Sequence, residues 1–223
     1  MAAKVNYIIG KSMFEVVTTQ IAMILALELA NQRVLLTAAI LTETDLEKKA
    51  EMELSLSCIP TKVYEERFHK PGVEELPFVN VMFTRSPLND LITNSTQGGD
   101  VQYTVESWQN AKSSESLGQG DSLSIKKLKR FLGICNKIIM DHAYINLGFE
   151  NPAIGYRQCN ELVVGQPDTG GDDSNNSTYG KFDITVKMSE AIPDTANLPL
   201  VGSDTNININ STGNGYYWEV TYS

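Results

Sequence analysis

The sequence predicts an α+β fold in which a mixed or antiparallel sheet packs against an N-terminal helix and a long central helix, with long polar loops. The first observation behind this prediction is a serine-capped apolar segment that begins at Ser12. The second is the segment 121–149, where apolar side chains recur every three or four residues, the period of one helical face. The third is the alternation of apolar and polar residues at 101–108 and 181–192, which indicates half-buried strands.

Length and composition favour one domain over residues 1–223. Within it we expect a helical insertion at 42–58 and an extended C-terminal segment, rich in Asn, Thr and Gly, at 193–223. Hydrophobic residues make up 42% of the chain and charged residues 20%, which is typical of a folded protein rather than a disordered one.

The first helix is predicted from Ser12 to about Ala30. Ser12 and Glu15 have the spacing of a capping box, in which the serine accepts a hydrogen bond from a backbone amide and the glutamate reaches back. Residues 21–29 are almost all apolar, so we expect this helix to be buried on more than one face. Asn31 and Gln32 mark its expected end, and the apolar run 33–41 fits either a strand or a continued helix.

A second capping box, Thr44 with Glu47, predicts a shorter charged helix to about Leu56 on the surface. The apolar stretch 21–41 that precedes it contains four charged or amide side chains. Such groups are costly in hydrocarbon, so we do not expect a membrane span.

The remaining segments are divided into strands and polar loops. Strands are predicted at 61–68, 77–85, 101–108, 153–165, 181–192 and 216–222. Polar loops are predicted at 86–100, 110–120 and 166–180, and the glycine pairs within them are expected to form turns.

The central helix is predicted over 121–149, with Ser122 or Ser124 as its cap and Gly148 as a left-handed stop. Its apolar stripe consists of Ile125, Leu128, Phe131, Leu132, Cys135, Ile138, Ile139 and His142. Four basic residues lie mostly off this stripe, and they are Lys126, Lys127, Lys129 and Arg130. Cations in the first turns of a helix oppose its dipole, so we expect a negative group nearby.

The charge balance argues against a protein that grips nucleic acid. Lys and Arg number 18 against 27 Asp and Glu, which gives a net charge of −9. The N-terminus has none of the features of a secretory signal, and the cysteine count is odd. Cys58, Cys135 and Cys159 are therefore expected to be reduced core thiols.

No residue pattern indicates catalysis or a cofactor, and the protein is not expected to be an enzyme. His142 is expected in the core or at a subunit contact, and His69 is expected to be exposed. Neither histidine has the spacing of a zinc site. The acidic loop residues Asp168, Asp172 and Asp173 lack the ligand pattern of a calcium loop and are expected to be solvated. No metal ligand is expected.

The order of elements resembles that of the tail terminator and tail-completion (neck) proteins of tailed bacteriophages. The resemblance covers about residues 12–192, and it rests on element order rather than on one motif. The segments that carry it are TKVY at 61–64, PFVNVM at 77–82, VQYTV at 101–105, the long helix, NPAI at 151–154 and FDITV at 182–186. The chain departs from the family pattern in its helix at 44–56, its two long polar loops and its C-terminal segment.

This resemblance implies a virion structural protein, made in the host cytoplasm, that assembles into a ring, commonly a hexamer. The ring caps the tail tube, joins it to the neck or connector, and leaves a channel through which DNA passes without sequence-specific binding. Lys126, Lys127, Lys129 and Arg130 are candidate subunit-interface residues. The alternatives are another connector, neck or baseplate subunit, a receptor- or glycan-binding module, and a small carboxylate-based enzyme.

Overall fold

A computed structural model describes residues 12–86, 90–93, 96–111, 120–149, 154–165, 176–189, 208–212 and 215–219. The helices in these ranges are α1 (Met13–Thr42), α2 (Leu46–Cys58) and α3 (Gly120–Met140). The strands are β1 (Lys62–Glu65), β2 (Phe78–Arg85), β3 (Asp90–Thr93), β4 (Thr96–Ala111), β5 (Ile154–Gly165), β6 (Asn176–Ser189), β7 (Asn208–Thr212) and β8 (Gly215–Glu219). Two short 3-10 turns span Val73–Glu75 and His142–Tyr144.

The eight strands form one sheet in the order β5-β6-β4-β2-β1-β8-β7, with β3 paired to β4 beside this path. The described pairs are antiparallel except β1 with β2, which is parallel. The sheet is therefore mixed, and the α+β fold class predicted from the sequence is confirmed.

Helices α1 and α3 pack against one face of this sheet. Alternate residues of β2, β4 and β6 face them, as shown by the buried side chains of Val81, Val105 and Phe182. The apolar stripe of α3 is buried from Leu128 to Ile139, as predicted. In α1 the successive residues 24–27 are all buried, so the prediction of burial on more than one face is confirmed.

Helix α1 is longer than predicted. Its cap is as expected, because the Ser12 hydroxyl accepts a hydrogen bond from the Glu15 amide. Its predicted end at Asn31 and Gln32 is wrong, since the helix continues to Thr42, and of the two alternatives left open for 33–41 the continued helix is the correct one. Neither residue breaks a helix, and the Arg33 guanidinium, which donates to the Ile59 carbonyl at 2.8 Å, ties the continuation to the end of α2.

By length and composition, α1 could cross a membrane. However, 56% of its most apolar window is buried inside the protein, as expected of a core helix. Helix α2 begins one residue later than predicted, because Asp45 rather than Thr44 is its cap. The Asp45 carboxylate accepts from the Glu47 amide at 3.0 Å and from the Lys48 amide at 3.3 Å.

The central helix differs from its prediction at both ends. It begins at Gly120, so Ser122 and Ser124 lie inside it and do not cap it. It ends at Met140, and a 3-10 turn and further turns follow. Gly148 has the left-handed backbone that was predicted, with φ of 76°, but it lies in the last of these turns and not at the end of the helix. His142 is exposed in the 3-10 turn, so its predicted place on the buried stripe is wrong.

Two predicted loops contain strand. The segment 86–100 includes β3 and the start of β4, and Gly98 and Gly99 pair with β6 instead of forming a turn. The segment 166–180 includes the start of β6, where Asn176 pairs with Ala111. Polar residues form these strand ends because a neighbouring strand supplies the hydrogen bonds. The acidic residues Asp168, Asp172 and Asp173 lie outside the described residues.

The C-terminal segment joins the sheet through β8, which pairs with β1. Cys58 and Cys135 are free and buried, as predicted, whereas Cys159 is free and half-buried. His69 is exposed, as predicted.

Candidate assembly surfaces

The predicted basic cluster lies where α3 passes α2, and half of it is engaged within the chain. Arg130 donates from Nη1 to the Glu51 carbonyl at 2.8 Å and to the Ser55 hydroxyl at 3.1 Å. Its Nη2 binds the Glu51 carboxylate. Lys126 Nζ lies 3.2 Å from the same carboxylate. These contacts fix α2 against the first turns of α3.

The electrostatics agree with this geometry. The hydrogen bond from Arg130, followed by that from Lys126, lowers the pKa of the Glu51 carboxyl. The negative group that the sequence predicted near these cations is therefore Glu51 of the same chain. Sequence reasoning did not identify it, because it lies on another helix and is one of several glutamates there.

Lys127 and Lys129 are placed differently from their two neighbours. Lys127 is half-buried, and its charge partly offsets the burial that raises the pKa of the Cys58 thiol. Lys129 is exposed, and it forms no ion pair with any residue that the structure describes. Of the four candidate interface residues, Lys129 is thus the one whose charge is most accessible to a partner.

The tip of the α1–α2 hairpin is an apolar surface that the sequence did not single out. Leu41 and Leu46 flank the connection between the helices, and each is 81% exposed. Leu35, one and a half turns earlier on α1, is also exposed. The signal in the sequence is the apolar run at 34–41, which extends beyond the part of α1 that the core covers.

The sheet face opposite the helices carries polar side chains joined across strands. The Thr104 hydroxyl donates to Asp183 at 2.7 Å and lies 2.6 Å from the Thr84 hydroxyl. On the same face, the buried Asn80 amide of β2 donates to the Glu106 carboxylate of β4 at 3.0 Å. No described helix packs over this face.

A loop between β1 and β2 borders this face and is held by an ion pair. Arg67 binds both oxygens of Glu75, at 2.7 and 2.8 Å, and its guanidinium lies 4.7 Å from the centre of the Tyr64 ring. Asn80 accepts from the Arg67 amide at 3.2 Å and donates to its carbonyl at 2.8 Å. Side chains of both flanking strands, Tyr64 of β1 and Asn80 of β2, therefore hold the loop in place.

A cleft of about 640 Å³ lies beside this loop. Its lining includes Glu75, whose pKa is lowered mainly by its hydrogen bond from Arg67. A carboxylate stabilised in its charged form is a poor general acid. A second cleft of about 400 Å³ lies between α1 and α3, where the Tyr144 hydroxyl donates to Glu28.

The carboxylate-enzyme alternative requires paired acids with raised pKa values in one pocket. Burial raises the pKa of Glu66 and of Glu106, yet neither residue lines either cleft. Glu66 instead accepts from the Phe83 amide at 2.7 Å, a structural contact. Among the described residues there is also no group of three or more potential metal ligands.

Comparison with known proteins adds no relative to this picture. No family model matches the chain, and no curated protein matches its sequence. The described side chains offer broad polar and apolar surfaces, among them the exposed Lys129 and the α1–α2 tip.

Proposed function

We propose that this protein is a structural subunit of a bacteriophage tail. It forms a ring, most simply a hexamer, at the head-proximal end of the tail. The ring caps the tail tube and joins it to the neck while leaving a channel for DNA. The ring acts through assembly and not through catalysis. One of its faces binds the end of the tube, and the other face does not bind further tube subunits, so the tube stops growing.

The observation that carries this proposal is the one-sided layering of the mixed sheet. Helices α1 and α3 cover one face, and no described helix covers the other. The resemblance in element order implies a sheet with helices against it, and this layering agrees with that expectation. It supports contacts with neighbours through the strand edges, the polar face and the exposed α1–α2 tip, none of which requires a reactive pocket.

The acidic balance of the chain is consistent with a DNA channel. A net charge of −9 disfavours persistent binding of phosphate to the wall of such a channel. The partners are copies of the chain itself, the tail tube protein and the neck or connector protein. We further propose that the protein is made in the host cytoplasm and retained in the virion.

Particle mass and shape test this proposal. Mass photometry of the purified protein is expected to give particles of about six times 24.6 kDa, and with assembled tail tubes the same mass is expected to add to each capped tube end. Electron microscopy should show a ring with a central hole. A protein that stays monomeric in both conditions, and is absent from purified virions, would contradict the proposal.

Immunogold labelling of intact virions separates the positions within this class. Label at the junction of head and tail supports the terminator or neck position. Label at the distal end would instead identify a baseplate subunit, and label on the fibres would favour a receptor-binding module.

A further inference from the structure

The path of described strands through the sheet ends at β5 and β7, while β3 lies beside this path and pairs with β4. In the described part of the chain, β5 pairs only with β6 and β7 pairs only with β8. The outer edge of each strand therefore presents backbone amide and carbonyl groups that no described strand satisfies. Such edges are templates for pairing with another chain.

Strand β5 is well suited to such pairing. It has twelve residues, and none of them is proline or lysine, two residues that commonly protect an edge. The edge-blunting features that it does contain are two charged side chains, Arg157 and Glu161, and two register shifts. Two register shifts divide it into regular runs at 156–159 and 162–165. Each run begins with an exposed large side chain, since Tyr156 is 42% and Leu162 is 49% exposed.

The directions of the two end strands decide how copies can join. Along the path from β5 to β7, five of the six neighbouring pairs are antiparallel and one, β2 with β1, is parallel. Five reversals leave β5 and β7 running in opposite directions. Two copies placed side by side in the same orientation therefore bring β5 of one next to β7 of the other as an antiparallel pair, the slightly more stable kind of ladder.

We propose that copies of this chain join head to tail by pairing β5 of one copy with β7 of the next, so that the sheet continues around the ring. The two edges are different surfaces, so the contact is heterologous, and a heterologous contact closes into a ring when the rotation between copies allows it. This inference rests on the proposed function and specifies the contact that builds the ring.

Cross-linking between engineered cysteines tests the pairing. Gln158→Cys in β5 and Asn210→Cys in β7 are made as separate, differently tagged proteins, both carrying Cys159→Ser. Burial raises the pKa of the Cys159 thiol to about 11, which makes it a slow reactant, and its removal eliminates it as a background site. Cys58 and Cys135 are buried and are retained. A flexible bismaleimide linker tolerates several residues of uncertainty in register.

The expected result is a covalent heterodimer when the two variants are mixed and assembled, at a yield at least tenfold above either variant alone. The double variant, Gln158→Cys with Asn210→Cys, should give a ladder of covalent oligomers up to the size of the ring. Glu161→Cys with Asn208→Cys repeats the test at a second position, in case the first pair impairs folding.

Three outcomes would overturn this inference. Rings of normal mass without the mixed cross-link would reject the edge pairing and leave the ring intact. Cross-linking of Gln158→Cys with itself would indicate a two-fold contact between β5 strands. Monomers of the parent protein under every condition would reject the ring and the pairing together.

Discussion

At the scale of single residues, the most informative group is the Glu106 carboxyl on the polar face of the sheet. It accepts from the Asn80 amide at 3.0 Å and from the Tyr179 hydroxyl. These bonds favour the carboxylate, but burial outweighs them and raises the pKa of Glu106. Burial of the Tyr179 hydroxyl, followed by the negative charge of the nearby Glu106, raises the pKa of Tyr179 to about 12. The folded protein thus holds the ionised Glu106 at a cost.

The sign of this cost gives a prediction for stability against pH. A carboxyl whose pKa is raised on folding binds protons more readily in the folded state, so stability falls as the pH rises above its ordinary value of 4.5. Glu106→Gln keeps an acceptor for Asn80 without the charge. We expect this variant to unfold with a larger free energy than the parent at pH 7 and with a nearly equal one below pH 4.5 in urea titrations.

An unchanged free-energy difference across this pH range would show that the carboxyl contributes nothing through its ionisation. Glu75→Gln is the matched control with the opposite sign. Arg67 lowers the pKa of Glu75, so this variant should lose stability at pH 7 and approach the parent as the pH falls below 4.5.

At the scale of elements, the packing of α3 on the sheet depends on a glycine in β6. A Cβ added to Gly180 would lie 2.9 Å from the Val163 carbonyl oxygen and 2.9 Å from a methyl carbon of Leu132. The first of these atoms is backbone and cannot move aside easily. Gly180 therefore allows α3 to approach the sheet closely.

Gly180 in this contact and Gly133 on α3, outside it, form a matched pair of substitutions. Gly180→Ala is expected to lower the free energy of unfolding by about 1–3 kcal/mol, because it overpacks the interface between α3 and β6. Gly133→Ala on α3 meets no atom within 4 Å, so it should raise stability by about 0.5–1 kcal/mol through helix propensity. Equal effects of the two changes in denaturant titrations would contradict this packing.

The elements that the sequence predicted well are those with a strong apolar period. The stripe from Leu128 to Ile139 and the alternation from Phe182 to Met188 report a buried face directly, and both are buried. The hairpin of β3 with β4 and the first residues of β6 were missed because their polar sequences resemble loops. The start of β4 and the first residues of β6 owe their strand structure to pairing with each other across a long stretch of sequence, as Gly98 with Ser189, and β3 pairs in turn with β4.

At the scale of the whole molecule, the candidate interface was only partly predictable. The four cations could be found from their positions off the apolar stripe of α3. The sequence could not show which of these cations form ion pairs within the chain and which stay accessible. That division depends on Glu51 of α2, which lies against Arg130 and Lys126. That placement results from the tertiary packing of three helices.

Charge reversal should separate assembly from folding. Lys129→Glu changes an exposed charge without a described ion pair, so we expect an unchanged melting temperature and a ring population reduced several-fold in mass photometry. Arg130→Glu opposes Glu51 and loses the bond to Ser55, so its melting temperature should fall by several degrees. Lys129→Gln serves as the neutral control.

If Lys129→Glu assembled as fully as the parent, Lys129 would be an ordinary solvated residue with no role in assembly. A fall in its melting temperature as large as that of Arg130→Glu would show that Lys129 has a structural role within the chain.

The position of β1 in the sheet has a consequence for the synthesis of this protein. β1 lies between β2, which follows it closely, and β8, where Val63 pairs with Tyr216 near the other end of the chain. While the ribosome is still producing the intervening residues, one side of β1 has no strand to pair with. Pairing of β8 with β1 therefore waits until residues 215–219 have been made, and only then does β7 become an edge of the sheet. Until that step the sheet ends at β1, so the edge proposed to meet β5 of a neighbour is absent from the nascent chain.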